Sequence, residues 1–158
     1  MHNMKNIKTF TQFKEYFDND IKMLLDWDKL ETSKPNIYHI DVDVKKSGNT
    51  IFTPWYINQN MAPSDYLDPE AVPQSIFQIS NNKLMMEHHN CIKILRNNAS
   101  LCFPAFDLGS KKYLLLDGNH RAVASIFSDE KELYIQLCVI SCEIDPDFLP
   151  DLLHWHKI

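Results

Sequence analysis

The chain has 158 residues and a mass of 18.5 kDa, a size that fits a single domain able to bury its own hydrophobic core. Its net charge of −5 at pH 7 argues against a large DNA-binding face, because such a face needs many lysines and arginines. The first residues contain no apolar run of the kind that directs secretion, and no stretch reaches the length of a membrane span. We therefore expect a cytoplasmic protein that contacts neither DNA nor membrane.

The four cysteines form no CxxC pair, and most lie in apolar runs, which favours buried, reduced thiols over a disulfide or a zinc site. Histidines cluster at Glu87-His88-His89 and at His154-Trp155-His156. Neither cluster has the spacing of a zinc motif. We predict a partly buried His88, a solvent-exposed His89 and no metal site, with a metal ligand at His88 as the less favoured alternative.

Residues 9–31 have the pattern of an amphipathic helix. Its apolar residues recur at three- and four-residue spacing: Phe10, Phe13, Phe17, Ile21 and Leu24. Thr9 and Gln12 have the spacing of a capping box. The polar triplet at 18–20 indicates that the helix divides, with Asp20 as the cap of a second helix. We assign residues 1–35 to an N-terminal helical extension.

Residues 36–44 alternate apolar and polar side chains, the period of a half-buried strand, and a turn at 47–49 closes it. The next segment, Thr53–Pro73, contains four prolines and predicts a long connection. Long ordered loops in compact domains are often functional. Trp55 and Tyr56 within this connection either anchor it to the body of the domain or form a lid over a ligand.

The second half of the chain alternates helical and strand patterns. The predicted elements are a helix over 81–97 capped by Ser80, a hairpin of strands 101–108 and 112–116, a helix over 119–128, a strong strand over 133–142, and a closing helix over 146–155 capped by Asp145. The predicted apolar face of the first of these helices contains Leu84, Met85, His88, Ile92 and Leu95.

The most informative segment is Asp117-Gly118-Asn119-His120-Arg121, where a hydrophobic strand ends at a glycine turn and a helix begins. The first turn of a helix presents free backbone N–H groups and a partial positive charge, which together attract anions. Gly118 allows a phosphate to approach the backbone, Arg121 offers a bidentate fork and His120 a further donor. The segment therefore predicts a phosphate site.

A purely structural interpretation fits the same spacing. Asp117 then caps the helix, Gly118 makes the turn, and Arg121 pairs with a surface carboxylate. Position alone favours neither interpretation. A bound anion would, however, relieve the unfavourable placement of a cation at the positive end of a helix dipole.

The segment resembles the D-G-x-H-R signature of the ParB/sulfiredoxin superfamily, in which a strand leads through this turn into a helix. Further parts of the chain are similar in order to that pattern: His39-Ile40-Asp41-Val42-Asp43-Val44 to its early strand, 81–97 to a helix, Phe103-Pro104-Ala105-Phe106 to a strand beginning near a proline, and 133–142 to the returning strand. The resemblance covers roughly residues 36–144, and only the signature itself is specific.

The resemblance implies a compact α/β (α+β) domain over residues 36–158, with a small mixed sheet and a C-terminal helix, that binds a nucleotide through its phosphates. The family includes chromosome-partition proteins that bind and hydrolyse CTP, sulfiredoxin and a free-serine kinase. By position, Gly118, Asn119, His120 and Arg121 would contact phosphates, and Asp117 would brace the turn or lie near a metal.

Departures from the family pattern narrow this choice. Sulfiredoxin has its catalytic cysteine directly before the His-Arg pair, where this chain has Asn119, which argues against reduction of oxidised cysteine. The partition proteins carry an arginine-rich box near the first strand and continue into DNA-binding and dimerisation domains. No such box follows Asp43, and the chain stops at Ile158, so we do not expect a partition function.

We therefore expect an ATP- or CTP-dependent enzyme, such as a small-molecule kinase or a nucleotide hydrolase, that uses a nucleoside triphosphate with Mg²⁺ and a small-molecule acceptor. The candidate catalytic residues are Asp41, Asp43 and His120, with Glu87 as a further carboxylate. The alternative is a non-catalytic binding module that serves as an immunity, regulatory or anti-phage partner protein. A nuclease-like effector is a third hypothesis, against which the acidic charge counts.

Overall fold

The computed structural model describes residues 4–96 and 99–158, and a single mixed sheet forms its centre. Within these residues the strands are β1 (Asn36–Asp43), β2 (Ile51–Ile57), β3 (Pro63–Ser64), β4 (Val72–Ser75), β5 (Cys102–Gly109), β6 (Lys112–Leu115) and β7 (Tyr134–Ser141). The strand order is β1-β7-β5-β6-β2-β3, and β4 also pairs with β2. Because β5–β7 and β2–β6 are parallel while β1–β7 and β5–β6 are antiparallel, the predicted α+β class with a mixed sheet is confirmed.

Helices cover both faces of the sheet. The first face carries α1 (Phe10–Phe17), α2 (Trp27–Thr32) and a C-terminal 3₁₀ helix (Pro150–Lys157), and the second carries α4 (Ile76–Ser80), α5 (Lys83–His88) and α6 (Asn119–Ser125). The short α3 (Val44–Ser47) follows β1, and 3₁₀ turns lie at Met4–Asn6 and Gly48–Thr50. Successive strand residues point to opposite faces, so Ala105 and Phe106 belong to different cores. Burial on both faces explains the nearly continuous apolar sequence of β7.

The N-terminal helices are part of the domain's packing. Phe13 and Leu30 are fully buried and share a core with Phe106 on β5, so residues 4–35 form a layer on the sheet. The predicted Thr9–Gln12 capping box is present. The predicted division of the helix at 18–20 is also present, but residues 18–26 are not helical, and Asp26 rather than Asp20 caps α2.

The segment predicted as a long connection, Thr53–Pro73, contains most of β2, all of β3 and the start of β4. β2 accommodates Pro54 where its register with β4 shifts, because a proline lacks the N–H that a regular ladder needs. The Thr53 hydroxyl donates to the Gln74 carbonyl oxygen at 2.8 Å and links the two strands there. The four prolines of this segment therefore did not prevent strands from forming there.

The helix predicted over 81–97 is also different in the structure. Its first part is α5, which begins after Asn82 instead of Ser80 and ends at His88, while Ile92 is exposed. A separate helix that the sequence reading missed, α4, begins at a Ser75–Gln78 capping box. Asparagine side chains bond to the local backbone and favour caps and turns, which separates the two helices at 81–82. The predicted end at Asn97 lies outside the described residues.

The strands are predicted better than the helices. β1, β5, β6 and β7 lie within one residue or two of their predicted bounds, and the hairpin at 109–110 is present. α6 stops at Ser125, three residues early, and the closing helix is a 3₁₀ helix that begins at Pro150 instead of 146. Across residues 4–96 and 99–158, every helix is too short or too polar to cross a bilayer.

Candidate functional site

The turn between β6 and α6 requires glycine at position 118 for two independent reasons. Gly118 has φ +86° and ψ 18°, a left-handed conformation that side chains disfavour, and it forms the N-cap of α6 without a side-chain bond. A Cβ added there would lie 2.0 Å from Cδ1 of Phe103. The predicted glycine turn is therefore present. The group that lies against the Gly118 backbone is the ring of Phe103.

The first turn of α6 has free donors. Its first backbone bond runs from the Ala122 N–H to the Gly118 carbonyl oxygen, at 2.9 Å. In the described part of the chain, no group accepts a hydrogen bond from the backbone N–H of Asn119, His120 or Arg121. A left-handed residue followed by helical ones turns such N–H groups toward a common point, which makes a concavity suited to an anion.

Arg121 has three partners in the chain. Its guanidinium lies 3.6 Å from the Asp117 carboxylate, donates to the Ser100 carbonyl oxygen at 3.0 Å, and stands 4.8 Å above the ring centre of Phe103. The negative charge of Asp117 offsets the unfavourable interaction between the Arg121 cation and the positive end of the helix dipole. No bound anion is needed for this. Arg121 thus has a carboxylate partner, as the structural interpretation predicted, but Gly118 and not Asp117 is the N-cap of α6.

Aromatic rings line one side of the turn. The Nε2 of His120 lies 2.6 Å from the His89 carbonyl oxygen, and the His120 ring stands edge-on to Trp55 with 5.0 Å between centroids. Trp55 in turn stacks on His89 at 4.1 Å, with only 9° between the ring planes. The structure therefore brings Trp55 to the turn, while its neighbour Tyr56 is buried on the other face against Asp151.

His89 was predicted to be solvated, and the structure contradicts this. Burial, followed by the nearby charges of His88 and His120, lowers the pKa of His89 from 6.5 to about 4, so the ring is neutral at neutral pH. Its Nε2 and the Oδ1 of Asn119 are buried without a hydrogen-bond partner among the described residues. Sequence periodicity gave no signal for this, because the covering ring of Trp55 comes from a distant strand.

The structure does not bring the candidate carboxylates Asp41 and Asp43 to the turn. β1 is separated from β6 by β7 and β5, so Asp41 lies three strand spacings away, or about 14 Å. Asp43 accepts from the Lys45 N–H at 2.9 Å and caps α3. Lys45 in turn donates to the Ile126 carbonyl oxygen at the far end of α6.

Two further features bear on ligands. A cleft of about 910 Å³ is lined by residues 80–93 at the end of α4, along α5 and just beyond it, and it contains no residue of the 117–121 turn. Glu87 lies in this cleft and pairs with Lys83 at 4.0 Å in a solvent-exposed position. Among residues 4–96 and 99–158, no three histidine, cysteine, aspartate or glutamate side chains are grouped so as to hold a metal ion.

We compared the chain with protein-family models, with curated proteins and with solved structures, and none of them matched. Any proposal of a ligand for the turn therefore rests on its own residues and geometry. Those are the free N–H groups of α6, the Asp117–Arg121 pair, the half-buried rings of Trp55 and His89, and the exposed ring of His120.

Proposed function

We infer that this chain binds a nucleotide through its phosphates at the 117–121 turn. The observation that carries the proposal is the row of backbone N–H groups at Asn119, His120 and Arg121, which bond to no acceptor in the described residues and follow a left-handed Gly118. Backbone donors at a helix start are a recurrent way of binding phosphate. The guanidinium of Arg121 is still partly exposed, with 38% of its side chain accessible, and adds positive charge beside these donors.

Trp55 supports a nucleotide rather than a bare phosphate. Its ring is half-buried, is held by stacking on His89, and lies edge-on to His120 in the first turn of α6. An aromatic ring held rigidly beside a phosphate site can contact a base or a ribose at little cost in conformational entropy. The neutral His89 adds an uncharged polar wall.

The finer proposal is a cytoplasmic ATP- or CTP-dependent enzyme, a small-molecule kinase or a nucleotide hydrolase. Asp117 is the carboxylate of the turn, and Mg²⁺ in nucleotide sites is commonly held by one or two carboxylates together with the phosphates. Bound there, Mg²⁺ would supply neutralisation of phosphate charge. His120, whose Nε2 is occupied by the His89 carbonyl oxygen, keeps Nδ1 for holding or moving a proton.

One observation favours the alternative of a non-catalytic binding module. Asp41 and Asp43 lie on β1, away from the turn, and Asp43 is already engaged as the cap of α3. Activation of an acceptor hydroxyl would then depend on His120 or Asp117. A protein that binds a nucleotide without turning it over would fit an immunity, regulatory or anti-phage partner.

A thermal-shift series tests the proposal. ATP, CTP and sodium tripolyphosphate are each added with and without Mg²⁺, and a ligand that binds only the folded chain must raise Tm. We expect a response to at least one nucleotide, and an affinity about tenfold or more lower in Arg121→Ala and in Arg121→Lys, because the planar fork is lost in both. Arg96→Ala is the matched control, since Arg96 is exposed and is the other arginine of the chain.

The outcomes separate the two forms of the proposal. Absence of any shift in the wild type contradicts phosphate binding at this turn, and an equal response in Arg121→Ala and Arg96→Ala moves the site elsewhere. If a nucleotide binds, release of inorganic phosphate or labelling of an acceptor distinguishes an enzyme from a binding module.

A further inference from the structure

Strand β1 forms one edge of the sheet, and its register shows which backbone groups face outward. The Val44 N–H donates to the Leu133 carbonyl oxygen at 2.9 Å, directly continuing the β1–β7 register. Bonded and non-bonded residues alternate along an antiparallel pair, so the even-numbered residues of β1 bond to β7. Gln136 agrees with this assignment, because its N–H donates away from β1, to the Leu101 carbonyl oxygen at 2.8 Å.

The odd-numbered residues Ile37, His39 and Asp41 therefore turn their N–H and C=O groups away from the sheet. Among residues 4–96 and 99–158, no backbone–backbone hydrogen bond is made to these outward groups. A free edge of this length is a template for a further strand. The opposite end of the sheet differs, since β3 has two residues and begins with Pro63, which limits pairing there.

The side chains of β1 are complementary to a second copy of the same strand. If two copies pair antiparallel about a two-fold axis at Ile40, His39 of each copy lies opposite Asp41 of the other. The imidazole and carboxylate then meet twice on one face of the sheet. On the other face Ile40 meets Ile40, and Tyr38 meets Val42, which are aromatic and β-branched pairs that stabilise sheets.

We propose that this chain forms a two-fold dimer by pairing β1 with β1 of a second copy, with His39 opposite Asp41, so that one sheet runs through both chains. Asp41 then acts in assembly and not in catalysis. This inference is independent of the proposed nucleotide site, which lies three strands away.

The surroundings of His39 favour this partner. Its Nε2 lies 2.6 Å from the Ile7 carbonyl oxygen, which holds the ring beside the strand. A cleft of about 330 Å³, lined by Lys5, His39, Ile40, Asp41 and Gln136, borders the strand. The carboxylate of the second copy's Asp41 would lie beside two basic side chains there. A lone Asp41 on an edge strand would otherwise discourage pairing, and this register supplies it with a partner.

Sedimentation equilibrium of the full-length chain under reducing conditions tests the dimer. We expect a mass twice that of the 18.5 kDa chain. Asp41→Pro removes one outward N–H and no bond to β7, so it should weaken the dimer at least tenfold while the monomer stays folded. Asp41→Lys, which places a cation opposite His39, should also weaken the dimer. It is the second variant, for use if Asp41→Pro does not fold. Asp28→Lys, at an exposed position on α2, is the matched charge control and should remain dimeric.

Disulfide trapping tests the register. In the proposed pairing the two Ile40 residues face each other as a non-bonded pair, with Cα atoms about 4.5 Å apart, so Ile40→Cys should form a covalent dimer on oxidation. Asn36→Cys, on the same exposed edge but far from its symmetry mate, should not. A wild type that stays monomeric at all concentrations overturns the proposal, leaving the edge open or available to a different chain. A dimer that persists in Asp41→Pro and Asp41→Lys, or that is not trapped by Ile40→Cys, also overturns it.

Discussion

The backbone of Gly118 lies directly against the ring of Phe103, so close that an added Cβ would stand 2.0 Å from Cδ1. The same ring carries the guanidinium of Arg121 on its face at 4.8 Å. Phe103 on β5 therefore sets both the path of the turn and the position of the cation that follows it. The shape of the candidate site depends on this one buried ring.

We expect Gly118→Ala to destabilise the protein by about 2–4 kcal/mol, because a left-handed backbone and a steric overlap with Phe103 add together. Gly109→Ala is the matched control: Gly109 has φ +81°, yet an added Cβ would meet nothing within 4 Å. The free energy of unfolding of Gly109→Ala should therefore fall only by the cost of the left-handed backbone, about 1–2 kcal/mol. Urea unfolding of both variants measures the difference, and equal losses would contradict a clash at Gly118.

We expect Arg121→Ala to lower stability by about 1–2 kcal/mol in the absence of ligand, since it loses the bond to the Ser100 carbonyl oxygen and the contact with Phe103. Arg121→Lys should lose nearly as much, because an ammonium cannot stack on the ring and reach the carbonyl as a planar fork does. Arg96→Ala should change the free energy of unfolding by less than about 0.5 kcal/mol. An Arg121→Ala protein as stable as the wild type would mean that these contacts contribute nothing.

Stability should fall as the pH is lowered from about 6.5 to about 4, because His89 binds its proton in the unfolded chain at 6.5 and in the folded chain only near 4. The neutral ring's contribution is complete above pH 6.5 and is lost as pH falls through the folded pKa. After discounting for partial solvent exposure, we expect a loss of about 1–2 kcal/mol. His89→Phe, which keeps a ring against Trp55, should reduce this slope. His156→Phe, at an exposed position, should leave the slope unchanged.

Tyr56→Phe should destabilise the protein by about 1–3 kcal/mol at pH 7, because it leaves the buried Asp151 carboxylate without its partner. Burial already raises the pKa of Asp151, and the bond from the Tyr56 hydroxyl at 2.5 Å opposes that rise. The loss should shrink at low pH, where Asp151 is protonated. Tyr134→Phe, which alters an exposed tyrosine, is the control in urea unfolding. A pH-independent loss would show that the carboxylate's charge is not involved.

If the turn binds a nucleotide, the fluorescence of Trp55 should change on binding, because its ring lies edge-on to His120 in the first turn of α6. The change should survive Trp27→Phe and disappear in Trp55→Phe, which retains an aromatic ring at this position. Hydrogen exchange provides a second measurement: protection of residues 118–124 without protection of residues 53–57 would place the base away from Trp55.

Strands β1, β5, β6 and β7 were predicted from sequence because their signal is local, whereas β2, β3 and β4 were not predicted. The alternation of Ile40, Val42 and Val44 and the apolar run of β7 follow directly from burial on one face or on both. The helix bounds were predicted poorly, because asparagine and aspartate at 18–20 and 81–82 compete for backbone bonds. The sequence indicates where such residues stand, but tertiary packing decides whether a helix stops there.

The sequence by itself determined the turn at 117–121: strand, glycine and helix start follow from residue types over one short stretch. Only the tertiary structure decided what surrounds that turn. The Phe103 ring under Gly118, the Trp55–His89 stack beside His120 and the separation of Asp41 and Asp43 from the turn all depend on strand order. Strand order is set by which apolar faces pack together over the whole chain, and no local pattern of residues encodes it.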